Sequence, residues 1–495
     1  MAKHAHVRTP EQQERLDQNR ATLMSVLLGT PRDPSLSIQT SGLRLTLERF
    51  VVNRASERTV PYEGSHGVAR VLAELARTYP DGQVVTDGHL TGVAGMLLME
   101  GRDEPIALRA TLGIGAQLAL EVGPSDSLGA LLDAISVFDR HFHLAARALG
   151  RDYALVAQGY NPHVSSPSDI VPVPLSRNVL RNAYLSRTGA YARDALRCTA
   201  GTFVALPMPR DAAEATRDYR ICCALAPLLA FLTDHSIRLR GSDPTDTPRM
   251  VRALVWANVD PRRCGMVPGA LADDFGPKAY ERWLEGTRPI LFTSDDGITF
   301  STGTDTCERL MEERELSEAE AGHLLRTVAP DVRWSGSLEL RVADALPVRL
   351  ACGYAALVKG LFADDGSRAA TERLVGLPDL GEDDVAGAWD PLREQGWEAR
   401  VYGRPVFQLA HELAAIASRG LSDRDERRLL DELAQLWEVR YVPRDTLLAN
   451  WASEREMSSD ERAVELYGEG AVIPYDELGG DPPAGQTASL PVIRP

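Results

Sequence analysis

Two segments in the first quarter of the chain alternate between apolar and polar residues, and this pattern constrains the fold more than any other feature. In the first segment the apolar residues are Leu43, Leu45 and Leu47, and the polar ones are Arg44, Thr46 and Glu48. In residues 104–123 one side carries Leu112, Leu118, Leu120 and Val122, and the other carries Gly113, Gly115, Gln117, Ala119 and Glu121. Because successive side chains of a strand point to opposite faces, both segments predict β-strands with one face in the core and one available for chemistry.

Helical periodicity dominates much of the remaining chain. The pattern predicts helices at about 9–29, 126–149, 178–196, 211–234 and 308–328, strands at 199–206 and 336–342, and an almost wholly helical stretch from 393 to 452. No internal repeat and no linker rich in Pro, Gly and Ser interrupts residues 40–450. An intimately mixed α+β architecture fits this order of elements best.

Four segments follow from these patterns. We expect an N-terminal helical segment at 1–40, an α+β core at 41–392 and a helical C-terminal part at 393–475. Residues 476–495 include the string GGDPPAGQTASLP, whose composition is typical of a disordered tail.

Composition excludes several classes of partner. The net charge is -16 and the basic residues form no separate cluster, which argues against nucleic acid. The longest apolar stretch, Ile221–Leu232, is too short to span a membrane and contains Pro227. The amino terminus lacks the apolar core of a signal peptide, and the six cysteines show no metal-binding spacing, so we expect a cytoplasmic protein with reduced thiols. The sequence does not indicate the oligomeric state.

Common catalytic strings are absent. The chain contains no GxxxxGK[ST], GxSxG or HExxH string, and no GxGxxG that follows a predicted strand. His141 and His143 lie two apart on a predicted helix, where their side chains diverge by about 200° and cannot share a metal ion.

Several strings, taken in order, resemble the bacterial and plant-type branch of the glutamate-cysteine ligase family. The chain reads LRLTLERFVVN at 43–53, VPYEGSHGV at 60–68, TLGIGAQLALEVGPSDSL at 111–128, GYNPH at 159–163, AYLSRTGAYARDALRCTAGTFV at 183–204, LVWANVDPRRCGMVP at 254–268 and APDVRWSGSLELRVADALP at 329–347. Each string alone is weak, whereas seven in the family's order and spacing make the resemblance specific.

The resemblance implies an antiparallel β half-barrel or funnel wrapped by helices, related to glutamine synthetase. It also implies a small-molecule amino-acid substrate. The family joins the side-chain carboxylate of glutamate to the amine of cysteine through a γ-glutamyl phosphate, and it uses ATP and magnesium. Magnesium prefers oxygen ligands, so the chemistry requires several carboxylates on the funnel face.

The chain departs from the family's pattern on that face. Thr46 stands where the family has a glutamate, while Glu48 is retained. Gly113 and Ala119 replace two further acids, and polar positions of a later strand become Phe203, Ala205 and Pro207. An alternative alignment shifts the register so that Glu121 serves as a ligand. Either alignment leaves few carboxylates for a magnesium cluster, so the use of Mg and ATP is doubtful here.

The resemblance assigns the remaining polar residues to a site. Substrate-binding residues would be Arg197, Arg252, Gln117, Arg263 and Arg341, and a reduced metal site would comprise Glu48, Glu339 and Glu121. A guanidinium suits the binding of substrate carboxylates. Each arginine has a second interpretation as the partner of a buried acid such as Asp260 or Glu339.

Three functions remain open on these residues. The first is an amino-acid ligase that joins a carboxylate of the γ-glutamyl type to an amine, with an altered or weakened Mg-ATP site. The second is a degenerate homologue that binds an amino acid or regulates another protein. The third is an ATP-independent enzyme acting on amino-acid conjugates, which Phe203 and Ala205 would suit because they make the face less polar.

Overall fold

The computed structural model describes residues 8–30, 42–99, 104–209, 211–453 and 493–494. The strands are β1 Leu43–Asn53, β2 Arg58–Thr59, β3 Gln83–Thr86, β4 His89–Leu97, β5 Ile106–Leu112, β6 Leu118–Ser125, β7 Tyr153–Val156, β8 Thr202–Pro207, β9 Cys264–Gly265, β10 Leu291–Thr293, β11 Thr299–Ser301, β12 Ala329–Pro330, β13 Val332–Trp334, β14 Ser337–Leu340, β15 Arg400–Val401, β16 Arg404–Pro405 and β17 Ile493–Arg494. The α-helices are α1 Pro10–Leu27, α2 Val68–Leu75, α3 Leu128–Ala148, α4 Ser176–Leu185, α5 Ala192–Cys198, α6 Ala212–Leu232, α7 Val251–Ala257, α8 Pro277–Glu285, α9 Cys307–Glu313, α10 Glu318–Leu325, α11 Val348–Leu361, α12 Asp365–Val375, α13 Glu382–Gln395, α14 Val406–Gly420, α15 Arg424–Glu438 and α16 Pro443–Ser453.

A large antiparallel sheet forms the centre of the molecule. Its strand order is β13-β14-β8-β1-β6-β5-β4-β17, with β2 and β7 paired to β1 and β3 paired to β4. The described strands form an open sheet, since β13 and β17 end the path without pairing to each other. The expected α+β class with an antiparallel sheet is therefore confirmed.

The register of the sheet sorts the alternating residues onto two faces. Leu45 lies opposite Val122 on β6 and Val204 on β8, and all three are fully buried. Helices α3, α6 and α11 pack against the sheet. Thr46, one residue along, lies opposite Glu121 and Phe203, and we call the face that carries these residues the polar face.

Two predicted helices are interrupted. The helix expected at 178–196 divides into α4 and α5, because Gly189 lies so close to α7 that a Cβ atom there would stand 2.1 Å from the Asn258 carbonyl oxygen. The helix expected at 308–328 divides into α9 and α10, where the Ser317 side chain accepts from the Glu320 amide and starts a new helix. The first break reflects a contact with a distant segment and the second reflects a local helix cap, and helical periodicity reports neither.

Helices α14 and α15 pack on α11. The Lys359 Nζ on α11 lies 2.7 Å from both carboxylate oxygens of Glu426 on α15, and Glu426 also accepts from the Leu128 amide at the start of α3.

The segment boundary at 392/393 remains a prediction. Of the expected disordered tail at 476–495, all but Ile493–Arg494 lies outside the described residues. No helix within the described ranges combines the length and apolar character needed to cross a membrane.

Candidate functional site

The polar face has a densely packed centre, which we call the site floor and define as Glu48, Gly201, Phe203, Arg252 and Arg341. The Arg341 guanidinium lies 4.2 Å from the centroid of the Phe203 ring, and that of Arg252 lies 5.5 Å from it. The Gly201 amide donates to Glu48 Oε2 at 2.9 Å. A Cβ atom on residue 201 would come within 2.5 Å of the Phe203 ring and 2.9 Å of Arg252, so this close packing requires glycine.

Two of the three predicted metal-binding glutamates on this face, Glu48 and Glu339, differ in electrostatic environment. Burial raises the pKa of Glu48, although Arg252 and Arg341 partly oppose the effect. Burial also acts to raise the pKa of Glu339, but the guanidiniums of Arg333 and Arg341 outweigh it, and the pKa falls below its usual value. Glu339 is therefore held as a carboxylate by arginines, to which it is ion-paired.

Arg252 combines burial with unused hydrogen-bonding capacity. Its side chain is 5% exposed, and its Nη1 donates to the Val342 carbonyl at 3.3 Å. Its Nε is buried and has no hydrogen-bond partner among the described residues. Burial lowers the pKa of Arg252, while the nearby carboxylates of Asp344 and Glu48 oppose this. Since an unsatisfied buried donor is costly, Arg252 is well suited to receive an anionic ligand.

Gln117, which the sequence analysis assigns to substrate binding, bonds to backbone groups of the protein. Its Oε1 accepts from the Gly115 amide at 2.8 Å, and its Nε2 donates to the carbonyls of Leu196 and Thr199 at 3.2 Å each. These bonds join the β5–β6 turn to the end of α5. The side chain thus positions backbone, and its role toward a substrate stays a prediction.

Arg197 and Arg263 are likewise engaged by protein groups. Arg197 donates to the carbonyls of Pro167 and Ile170 and to the side chain of Asn182, at 2.7–3.2 Å. Arg263 is 4% exposed, and its Nε donates to Asp260 Oδ2 at 3.0 Å.

The other nitrogens of Arg263 donate to the carbonyls of Thr327 and Arg288. The alternative interpretation of Arg263, as a partner of Asp260, therefore describes its observed contacts. Its assignment to substrate binding, like that of Arg197, stays a prediction.

The remaining predicted ligand, Glu121, is exposed on the polar face. It lies opposite Thr46 on β1 and Arg109 on β5, whereas Glu48 lies opposite Ala119. Thr46 lies across from Glu121, and Ala119 lies across from Glu48. Neither glutamate therefore faces a second carboxylate across the β1–β6 pair.

A magnesium cluster of the family's kind does not fit these donors. Across the described ranges, no three His, Cys, Asp or Glu side chains gather closely enough to hold a metal ion. Glu339, the carboxylate held ionised on this face, is already paired with arginine. The assignment of Glu48, Glu339 and Glu121 as metal ligands stays a prediction.

Arginines surround this face instead, and we call Arg177, Arg181, Arg326 and Arg333 the arginine cluster. Burial lowers the pKa of Arg181 to about 10, and repulsion by Arg177, Arg263 and Arg333 adds to the effect. Burial also lowers the pKa of Arg333 to about 10, with Arg341 adding repulsion and Glu339 opposing it.

Within the described part of the chain, the side chains of Arg177, Arg181 and Arg326 show no ion pair or hydrogen bond to a carboxylate. Like charges held together in this way favour a bound anion. Sequence reasoning missed the cluster. Its one local signal is the spacing of Arg177 and Arg181, which places both on one side of α4.

Comparison with known proteins agrees with this fold. A family model described as glutamate-cysteine ligase family 2 (GCS2) matches residues 45–386, well over half of the chain. The solved glutamate-cysteine ligase of Francisella tularensis in complex with AMP superposes with a TM-score of 0.53 at 12% identity, covering 87% of this chain and 88% of that one.

Two plant proteins extend the comparison. The chloroplastic glutamate-cysteine ligase of Arabidopsis thaliana is 25% identical over 389 residues, or 74% of this chain and 72% of the relative. Glutamate-cysteine ligase B of Oryza sativa is 23% identical over 437 residues, or 85% of this chain and 82% of the relative. The antiparallel sheet agrees with the match over residues 45–386, and the chain belongs to glutamate-cysteine ligase family 2.

Proposed function

We propose that the protein is an amide-bond-forming ligase that joins an amino-acid carboxylate of the γ-glutamyl type to an amine, with altered handling of Mg-ATP. The observation that carries the proposal is Arg252, whose buried guanidinium has an Nε without a partner among the described residues and lies close to Glu48 on the polar face. Family membership supplies the reaction class. The buried guanidinium supplies a binding group for the acid substrate.

In this proposal Arg252 holds a carboxylate of the acid. An oxygen of the acid's reacting carboxylate bonds to the γ-phosphorus of ATP while the bond from that phosphorus to ADP breaks. The amine nitrogen then bonds to the acyl carbon, inorganic phosphate leaves, and the nitrogen gives up a proton. The arginine cluster is close enough to the polar face to offset phosphate charge, because Arg333 pairs with Glu339 there. No step is assigned to magnesium, since the donor set does not fit its cluster.

The loss of acids at several positions favours a second candidate. Gly113, Ala119 and Phe203 leave the polar face without the carboxylates and polar groups that the family uses for phosphate chemistry. A protein that binds an anionic amino acid or its conjugate, without activating it, would retain Arg252 and need none of the missing acids. In that case the fold serves binding or regulation.

ADP release over a panel of amines, with glutamate as the acid, separates the two candidates. The ligase proposal predicts amine-dependent ADP release, and calorimetric binding of both nucleotide and glutamate. Arg252→Gln should weaken glutamate binding at least tenfold because the carboxylate loses its charged partner. Arg252→Lys should recover part of the loss.

Arg140→Gln is the matched control, because Arg140 is exposed on α3, away from the site floor. It should bind glutamate and nucleotide as the natural protein does. Glutamate binding without nucleotide binding or ADP release from any amine would contradict the ligase proposal and support the second candidate.

A further inference from the structure

A cavity of about 610 Å³ lies beside the site floor, between α7 and α13. We call it the α7–α13 cavity. Its lining includes Arg252, Trp256, Asp331, Arg341, Glu382 and Trp389. Its volume falls in the range of about 300–1,000 Å³ typical of pockets that enclose a small organic ligand.

The cavity adjoins the proposed reaction site. Arg252 and Arg341 belong both to its lining and to the site floor, where their guanidiniums lie over Phe203. Trp256 lies beside the same group, with the Arg252 guanidinium 6.0 Å from its ring centroid. A molecule in the cavity therefore has one end next to the place where Arg252 would hold the acid.

Two of the acidic side chains in the lining, Asp331 and Glu382, lack a hydrogen-bond partner among the described residues. Glu382 Oε1 is buried and accepts no hydrogen bond from a described residue. The Asp331 carboxylate likewise forms no hydrogen bond or ion pair within the described ranges. Burial raises the pKa of Asp331 to about 6, with Arg252 opposing the shift. Unpartnered carboxylates in a partly enclosed space favour a cation that can donate hydrogen bonds.

The rest of the lining is suited to an apolar group. Trp256 and Trp389 are both partly exposed, and both line the cavity. Indole rings bind aromatic and aliphatic groups through their large surface, and they also attract cations to their faces. The lining of the cavity thus contains both carboxylates and indole rings.

We infer that the α7–α13 cavity is the acceptor site of the ligase, and that the acceptor is a primary amine carrying an aromatic or other bulky apolar body. This inference rests on the proposed function and adds the class of amine. The ammonium group lies against Asp331 and Glu382, and the apolar body lies between Trp256 and Trp389. Asp331 takes one proton from the ammonium group, which leaves the nitrogen lone pair to form the bond to the acyl carbon.

Equilibrium binding tests the inference without requiring turnover. Tryptamine and phenethylamine, measured by calorimetry on the full chain, should bind at least tenfold more tightly than ethylamine. N-acetyltryptamine, which has the ring but no ammonium group, should bind at least tenfold more weakly than tryptamine. Equal binding of tryptamine and its N-acetyl form would overturn the role of the carboxylates.

Variants locate the binding. Asp331→Asn and Trp389→Ala should each weaken tryptamine binding at least tenfold, and Trp389→Phe should retain most of it. Asp379→Asn is the matched control, because Asp379 is exposed and lies outside the cavity lining. Unchanged binding in both cavity variants would overturn the assignment.

Competition between tryptamine and AMP shows whether the cavity binds the acceptor amine or a nucleotide. Tryptamine should bind equally well in the presence of saturating AMP, and displacement by AMP would assign the cavity to the nucleotide and overturn the inference. Aromatic amine binding without ADP release would contradict the proposed function, and with it the acceptor role, and would leave the cavity as a binding site for aromatic amines. ADP release that shows no preference for aromatic amines would contradict the inference and leave the ligase proposal intact.

Discussion

At the scale of single residues, buried titratable groups determine how the protein responds to acid. His235 is 5% exposed, and its Nδ1 lies 2.9 Å from the Ala345 carbonyl oxygen, which makes this nitrogen a donor in the neutral ring. Burial lowers the pKa of His235 to about 4, although hydrogen bonds to backbone carbonyls oppose the shift. The folded protein therefore favours the neutral imidazole, whereas the unfolded chain gains a proton near pH 6.5.

This difference predicts a loss of stability in acid. Below pH 6.5 the unfolded state binds a proton that the folded state does not. The contribution of His235 to the free energy of unfolding is therefore complete above pH 6.5 and is lost as the pH falls toward 4. The loss amounts to about 3 kcal/mol at 1.36 kcal/mol per pKa unit. Urea unfolding at pH 7.5 and pH 4.5 measures it. His235→Asn retains a hydrogen-bond donor without the charge, so its free energy of unfolding should fall less between the two pH values. Equal pH dependence in both proteins would refute the assignment.

At the scale of secondary-structure elements, strand register decides which side chains meet. Glu48 on β1 lies directly opposite Ala119 on β6. Ala119→Glu would place two carboxylates face to face, and such like-charged pairs destabilise a sheet by about 0.2–1 kcal/mol. We expect the variant to have a lower melting temperature than the natural protein in chelator and to recover it in millimolar Mg²⁺, because the ion bridges the new pair.

Thermal unfolding with and without Mg²⁺ checks this prediction. Ala107→Glu is the control, because it adds a carboxylate on β5 opposite Met96 rather than Glu48. Its melting temperature should not respond to Mg²⁺. If Ala119→Glu showed no greater response than this control, the two positions would not form a metal-binding pair.

Sequence patterns predict the strands and their faces better than they predict the ends of helices. The segments expected as strands at 199–206 and 336–342 form β8 and β14, and their alternation places Phe203 and Glu339 on the polar face. Helix boundaries were harder to predict. The break at Gly189 depends on the approach of α7, which lies some sixty residues later in the chain. Strand faces follow from a local period, whereas such breaks follow from distant contacts.

At the scale of the whole molecule, the C-terminal helices and the sheet share buried polar contacts. Glu426 is 4% exposed and binds both Lys359 on α11 and the Leu128 amide of α3. Glu426→Ala would leave both groups without this partner. Breaking a buried pair costs about 3–5 kcal/mol, and partial exposure of Lys359 favours the lower end, about 3 kcal/mol.

Urea unfolding followed by circular dichroism and by tryptophan fluorescence tests this prediction. Both signals should report one coincident transition, shifted to lower urea in Glu426→Ala, because the helical part and the core unfold together. The double variant Lys359→Met with Glu426→Leu replaces the pair by apolar groups and should recover much of the loss. Two separated transitions would instead support the segment boundary at 392/393.

The sequence by itself determined the α+β class, the antiparallel strands and the family, because alternation and short motifs are local properties of the chain. It also predicted that several acids of the family are missing from the polar face. Only the tertiary structure decided that Gln117 and Arg263 bond to backbone groups, and that Arg326 and Arg333 lie near Glu339. The α7–α13 cavity is likewise a tertiary feature, since Arg252 and Trp389 lie more than 130 residues apart in the chain. Burial and charge pairing depend on which distant segments pack together, and no local pattern records that packing.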